Sequence, residues 1–159
     1  MLVRGLVLVK VFVLVLLLGT SAHAQITAYK TKSLEEVTTW FQMHSKTVVM
    51  MGSEAPFPRF TDLLVTALLQ KRTVARIITG DAGVERFRRV AQAGGQVRSR
   101  AGAFGGRNGF SGTLIILENR YALTKRGDEW ILIDSAQAAG QINQQFNLLW
   151  DYSTPIPLR

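Results

Sequence analysis

Cysteine is absent from the 159 residues, which excludes disulfides, thiolate metal sites and a Cys nucleophile. Histidine is nearly absent, with only His23 and His44, too few for a zinc site, which draws on several His or Cys ligands. Acidic side chains are the minority charge, 11 Asp and Glu against 19 Lys and Arg, for a net charge of +8. No repeat, low-complexity tract or long linker divides residues 25–159, so one domain is expected there, long enough to bury a core without staples. Nothing in the composition calls for a cofactor or a metal.

The apolar excess lies at the start. Arg4 precedes an unbroken apolar run from Val11 to Leu18, and Ala22-His23-Ala24 forms a small-x-small cleavage site ahead of Gln25. Residues 1–24 therefore read as a secretory signal peptide, which implies export to a periplasmic or extracellular location. The competing reading is a retained anchor starting at Leu6 and interrupted by Lys10. Cleavage removes Arg4, Lys10 and His23; 19 basic residues less two leaves 17 against 11 acidic, a net +6, with His44 as the remaining histidine. Such a balance favours anionic partners, namely nucleic acid, phospholipid headgroups or an envelope polymer, although it also serves solubility alone.

Ser33-Leu34-Glu35-Glu36 has capping-box spacing, in which the Ser hydroxyl and the Glu three residues on satisfy each other's free backbone N–H groups. A helix is expected there, with Leu34, Val37, Trp40 and Phe41 as its apolar stripe. Residues 46–52 and 74–79 read as buried strands. Between them Phe60, Leu63, Leu64, Ala67 and Leu68 carry a second helical stripe, closed by Lys71 and Arg72 where the helix dipole favours cations. Val84, Phe87, Val90 and Ala91 mark a third helix, stopped by Gly94-Gly95, and residues 96–99 a short strand. Strands at 114–117, 121–124 and 130–133 follow with connections short enough for antiparallel neighbours. Ala138, Ile142, Phe146, Leu149 and Trp150 form the last stripe, and Pro155 and Pro157 an extended tail. Alternation of this kind predicts a three-layer α/β/α sandwich around a mixed sheet.

One stretch, Ser111-Gly112-Thr113-Leu114-Ile115-Ile116-Leu117-Glu118-Asn119, resembles the signature strand of the phospholipase D-like phosphodiesterases, most closely that of the small secreted bacterial nucleases. In that family the strand reads His-x-Lys, four mostly apolar residues, then Asp. The resemblance covers roughly residues 34–153 and rests on the order of the apolar strands as well as on this segment. It implies a phospholipase D-like fold, with Ser111 at the position of the nucleophilic His, Thr113 at that of the phosphate-binding Lys, and Glu118 at that of the acid. A Gly-Ser-x-Asn turn that follows the motif in the family is missing between Glu118 and Glu129. The motif is thus degenerate, and no residue is assigned a catalytic role. Small members complete their site by pairing two copies, so the resemblance also suggests a homodimer.

Other candidates come from the residues themselves. Glu54, Asp81 and Glu118 each follow an expected strand, where ligands of open α/β sheets bind, and acidic residues there also cap helices. His44 lies on or beside the first apolar stripe and reads as a structural histidine. The strongest binding feature is Arg98-Ser99-Arg100-Ala101-Gly102-Ala103-Phe104-Gly105-Gly106-Arg107-Asn108-Gly109-Phe110. Its candidate ligand residues are Arg98, Arg100, Arg107, Asn108 and Phe104: guanidinium donors for phosphate and a ring that stacks on bases or wedges into lipid. It lacks the ending of a Walker loop. Arg86, Arg88 and Arg89 on the third helix read as a solvated face. Three functions follow: a degenerate phospholipase D-like protein binding a phosphate-bearing polymer such as DNA or RNA; an active phosphodiesterase, nuclease or phospholipase, using Ser111 with Glu118 or Asp81; or an envelope protein-interaction module.

Overall fold

Ser33 starts the first helix, its hydroxyl accepting the Glu36 N–H at 3.3 Å, but only half of the expected box forms, because the Ser33 N–H donates to the Thr31 hydroxyl at 2.9 Å. The computed structural model describes residues 26–104 and 112–159; the expected signal segment and Arg107, Asn108 and Ser111 lie outside the described residues. The elements run β1 (Thr27–Thr31), α1 (Leu34–Met43), β2 (Thr47–Met51), α2 (Phe60–Leu69), β3 (Val74–Thr79), a 3-10 turn (Asp81–Gly83), α3 (Val84–Gln92) and β4 (Gln96–Ser99). After the undescribed residues come β5 (Leu114–Leu117), β6 (Tyr121–Arg126), β7 (Glu129–Asp134), α4 (Ala136–Asp151) and β8 (Thr154–Pro155).

The strands form one sheet in the order β1-β7-β6-β5-β2-β3-β4-β8. β2, β3 and β4 are parallel neighbours, joined by crossovers through α2 and α3, while β5 runs antiparallel to β2. The result is the three-layer mixed α/β arrangement expected from the alternation of strands and helices.

Strand alternation decides which layer each side chain joins. Val48 and Met50 of β2, with Ile77, Ile115 and Leu117, pack under Val37, Phe41, Phe60, Leu64, Phe87 and Val90 of α1, α2 and α3. Val49 and Met51, with Ile78, Leu114 and Ile116, pack against Ala139, Phe146 and Trp150 of α4. Strands covered on both faces must be apolar at nearly every position, which is why 48–51 and 114–117 are continuous apolar runs. Phe41, Phe57 and Phe60 meet edge to face with centroids 5.2 to 5.7 Å apart, an arrangement worth about 0.5–1.5 kcal/mol per pair beyond burial.

Two strands lie outside the sequence expectations. β1 pairs with β7 at one sheet edge and exposes every residue but Thr31, so it carries no apolar signal. β8 is a two-residue strand against β4 at the other edge; Pro155 is tolerated there because an edge strand can lack an N–H.

Candidate functional site

The parallel strands β2, β3 and β4 bring their carboxyl ends to one edge of the sheet, and the antiparallel β5 begins there. This edge is built from backbone and hydroxyl groups. Ser53 Oγ accepts the Gly80 N–H at 3.1 Å, and the Thr79 hydroxyl, fully buried, donates to the Gly80 carbonyl at 3.2 Å. Thr113 is buried; its hydroxyl donates to the Glu54 carbonyl at 2.8 Å, and its own carbonyl accepts from the Thr124 hydroxyl at 3.2 Å. The Arg86 guanidinium donates to the Ser53 carbonyl, and the Trp130 indole N–H to the Pro56 carbonyl at 3.0 Å.

Close approach explains two glycines. Gly52 has φ +143°, and a Cβ there would lie 2.7 Å from the Gly112 carbonyl oxygen. At Gly83 a Cβ would fall 1.9 Å from the Thr79 hydroxyl. Only glycine lets these turns pack so tightly.

Glu54 and Asp81 are exposed at this edge. The capping role that acidic residues often take after strands is not theirs: α2 follows Arg59, in the left-handed region at φ 67°, α3 follows Gly83, and neither start has a side-chain cap. Among the described residues no three His, Asp or Glu side chains converge as a metal site would need.

Glu118 stands at the other edge. Because β5 is antiparallel to β2, its carboxyl end lies beside the start of β2, where the Glu118 N–H donates to the Thr47 carbonyl at 3.0 Å. Along the strand Thr113 and Glu118 are roughly 16 Å apart, at the usual rise of about 3.3 Å per residue. Thr113 and Glu118 therefore stand at opposite ends of β5, while Ser111, the other half of the expected pairing, lies outside the described residues. The Glu118 carboxylate instead lies 3.5 Å from His44 Nδ1, and the imidazole packs on Tyr121 with centroids 4.1 Å apart. Beside them Arg120 grips Asp134 through two bonds of 2.7 and 3.1 Å. That hydrogen bond is the main cause holding the Asp134 carboxyl below its ordinary range, and the same bond raises the Arg120 pKa.

The arginines of the basic run are divided. Arg98, half-buried on β4, stacks on Trp150 at 4.5 Å and donates to the Trp150 carbonyl at 2.9 Å, closing the C-terminal end of α4. A cation placed there complements the helix dipole, so Arg98 is a structural residue as well as a candidate ligand. Arg100 ties its backbone N–H to the Thr79 carbonyl at 2.9 Å and carries its guanidinium 5.8 Å over Tyr152. Phe104 is half-buried and packed against the α4-side core, beside Gly80.

The arginines of α3 lie on an exposed face, as expected, with Arg88 half-buried, and each of them has a partner. Arg86 holds Ser53, Arg89 reaches Asp62 of α2 at 2.9 Å, and Arg88 binds Glu85 at 2.8 Å and the Pro157 carbonyl at 2.7 Å. The hydrogen bond from Arg88 lowers the Glu85 pKa.

Sequence reasoning passed over Arg76. It sits in β3 on the α4 face, its guanidinium 4.4 Å from the Trp150 ring and 5.1 Å from Phe146, and donates to Asn147 at 3.0 Å. Burial first, and the Arg98 charge second, lower its pKa. A charged residue inside the apolar run Ala75-Arg76-Ile77-Ile78 was the available signal.

Comparison with solved structures gives this architecture its class. Nuc from Salmonella typhimurium, a phospholipase D family member, matches with a TM-score of 0.62 at 15% identity, over 82% of this chain and 97% of that one. The fold is phospholipase D-like. Phosphatidylserine synthase from Haemophilus influenzae matches at 0.55 and 17% identity over 82% of this chain, which spans 39% of that protein. TrmBL2, an archaeal chromatin protein with a novel mode of DNA binding, matches at 0.57 and 10% identity over 95% of this chain and 62% of its own. No family model and no curated protein sequence matches. Among the described residues no helix is long and apolar enough to cross a membrane.

Proposed function

We propose that this is an exported phospholipase D-like protein without phosphohistidine chemistry, which binds a phosphate-bearing polymer, most simply DNA or RNA, through the basic run that borders the strand-end edge. The observation that carries the reading is Thr113. At the position where the resemblance calls for a phosphate-binding Lys, the side chain is neutral, buried and committed to the Glu54 carbonyl. Phosphate affinity at this edge then rests on guanidinium groups, with Arg100 as a direct ligand and Arg98 a supporting one; Arg107 is the further candidate that the sequence of the basic run supplies. The DNA binding stated for TrmBL2, which shares the fold, supports nucleic acid as the polymer. Export rests on the tripartite character of residues 1–24 and the net charge of the remainder.

The test separates binding from turnover. Protein isolated from its native host is first checked by mass spectrometry, where a chain starting at Gln25 is expected and an intact Met1 supports an anchor instead. It is then incubated with DNA and with a chromogenic phosphodiester. Salt-sensitive DNA binding without hydrolysis is expected. Metal-independent hydrolysis abolished by Ser111→Ala overturns the loss of chemistry, and absence of DNA binding at low salt removes nucleic acid.

A further inference from the structure

Three guanidinium groups lie in a row along the C-terminal half of α4, on the sheet face opposite α1, α2 and α3. Arg76 and Arg98 both stack on Trp150, at 4.4 and 4.5 Å, and Arg100 follows over Tyr152. Among the described residues the ion pairs are His44–Glu118, Arg88–Glu85, Arg89–Asp62 and Arg120–Asp134; none involves this row. Its positive charge is thus left without a paired carboxylate, and two like charges share one indole. The field of Asp151 reaches Arg76 as a weaker influence than burial or Arg98.

Tyr152 gives the row a second character. It is 79% exposed just past the end of α4, an unusual place for an aromatic ring, and the Arg100 guanidinium lies over it. A base has a flat face of its own, and stacking on an exposed ring needs that face unpaired. Alternating guanidinium groups and aromatic rings are the elements with which proteins track single strands: charge follows the backbone and rings take bases. The row is also continuous with the basic run, since Arg98 and Arg100 open it.

We propose that the Arg76, Arg98, Arg100 and Tyr152 row is a track for single-stranded nucleic acid, with Tyr152 stacking an unpaired base, Arg76 and Arg100 facing phosphates, and Arg98 holding the row to α4. The proposal deepens the nucleic-acid reading and rests on it. It adds a strand preference and a surface that the basic run alone does not give.

The experiment uses fluorescence anisotropy of the mature protein with labelled oligo(dT), a duplex of mixed sequence, and inorganic polyphosphate as competitor, each across a salt series. Tyr152→Ala is expected to weaken oligo(dT) binding about tenfold and Tyr152→Phe to leave it unchanged, because stacking needs the ring and not the hydroxyl. Duplex affinity should stay within about twofold, since paired bases do not stack on the ring. Arg76→Gln and Arg100→Gln should each lower the single-strand salt slope by about 0.7, and polyphosphate should compete against parent and Tyr152→Ala alike. Thermal melting accompanies each variant, and Arg98 is left intact because it closes α4. Unchanged oligo(dT) binding by Tyr152→Ala, or equal losses on duplex and single strand, overturns the track while leaving the nucleic-acid reading standing. No binding to either DNA by the parent protein overturns both.

Discussion

The Thr113 hydroxyl donates to the Glu54 carbonyl at 2.8 Å, joining the start of β5 to the turn after β2 across 59 positions of sequence. This bond fixes the strand-end edge with a neutral group. Its loss should be felt in stability before it is felt in binding.

Thr113→Val keeps the shape and removes the donor. Because it leaves a carbonyl beside a buried side chain without that partner, unfolding in urea should show a loss of about 1–2 kcal/mol. Thr113→Ser, which keeps the hydroxyl, should restore most of it. A neutral Thr113→Val would mean that the bond contributes nothing net.

Arg98 and Arg100 should separate in stability. Arg98→Ala removes a charged hydrogen bond at the end of α4 together with a stack on Trp150, and a loss of about 2 kcal/mol is expected. Arg100→Ala, whose guanidinium meets only an exposed ring, should change stability by less than about 0.5 kcal/mol. Equal losses would contradict the division of roles between them.

Asp134 should govern part of the acid limb of stability. Its folded pKa is depressed, chiefly by the hydrogen bond from Arg120, so the bridge contributes above the unfolded carboxyl pKa of about 3.9 and is lost as pH falls through the lower folded value. Melting curves of the parent and Asp134→Asn should therefore differ at neutral pH and converge toward pH 2. The exposure of Arg120 screens the pair, so the gap should also shrink in high salt.

Arg88 should hold the last residues in place. It donates to the Pro157 and Arg159 carbonyls, and Ile156 is buried under the same helix. Arg88→Ala should speed trimming by a carboxypeptidase as far as Ile156. Deleting residues 156–159 should cost about 2 kcal/mol, the usual value for exposing one such side chain.

Much of this architecture was legible because both sheet faces are covered. Residues 48–51 and 114–117 are apolar without interruption, and Ser33 announced α1 through its cap. β1 gave no sign, since an edge strand with nearly every side chain in water needs no apolar pattern. The site was less legible for a different reason. Residue spacing sets the length of β5 but not its direction relative to β2, and direction alone decides that Glu118 faces His44 while Thr113 faces Glu54. Likewise the basic run was visible as charge, whereas the partner of Arg98 lies 52 positions away. The packing of Phe104 beside Gly80, in the turn after β3, is likewise a contact that residue spacing does not show.

The antiparallel placement of β5 makes its two ends thermodynamic strangers. Sites more than about 10 Å apart with no shared partner usually contribute additively, and Thr113 and Glu118 share none: one is tied to the turn after β2, the other to the end of α1 and the start of β2. Substitutions at the strand-end edge can therefore accumulate without loosening the His44 and Tyr121 contact that anchors the far end.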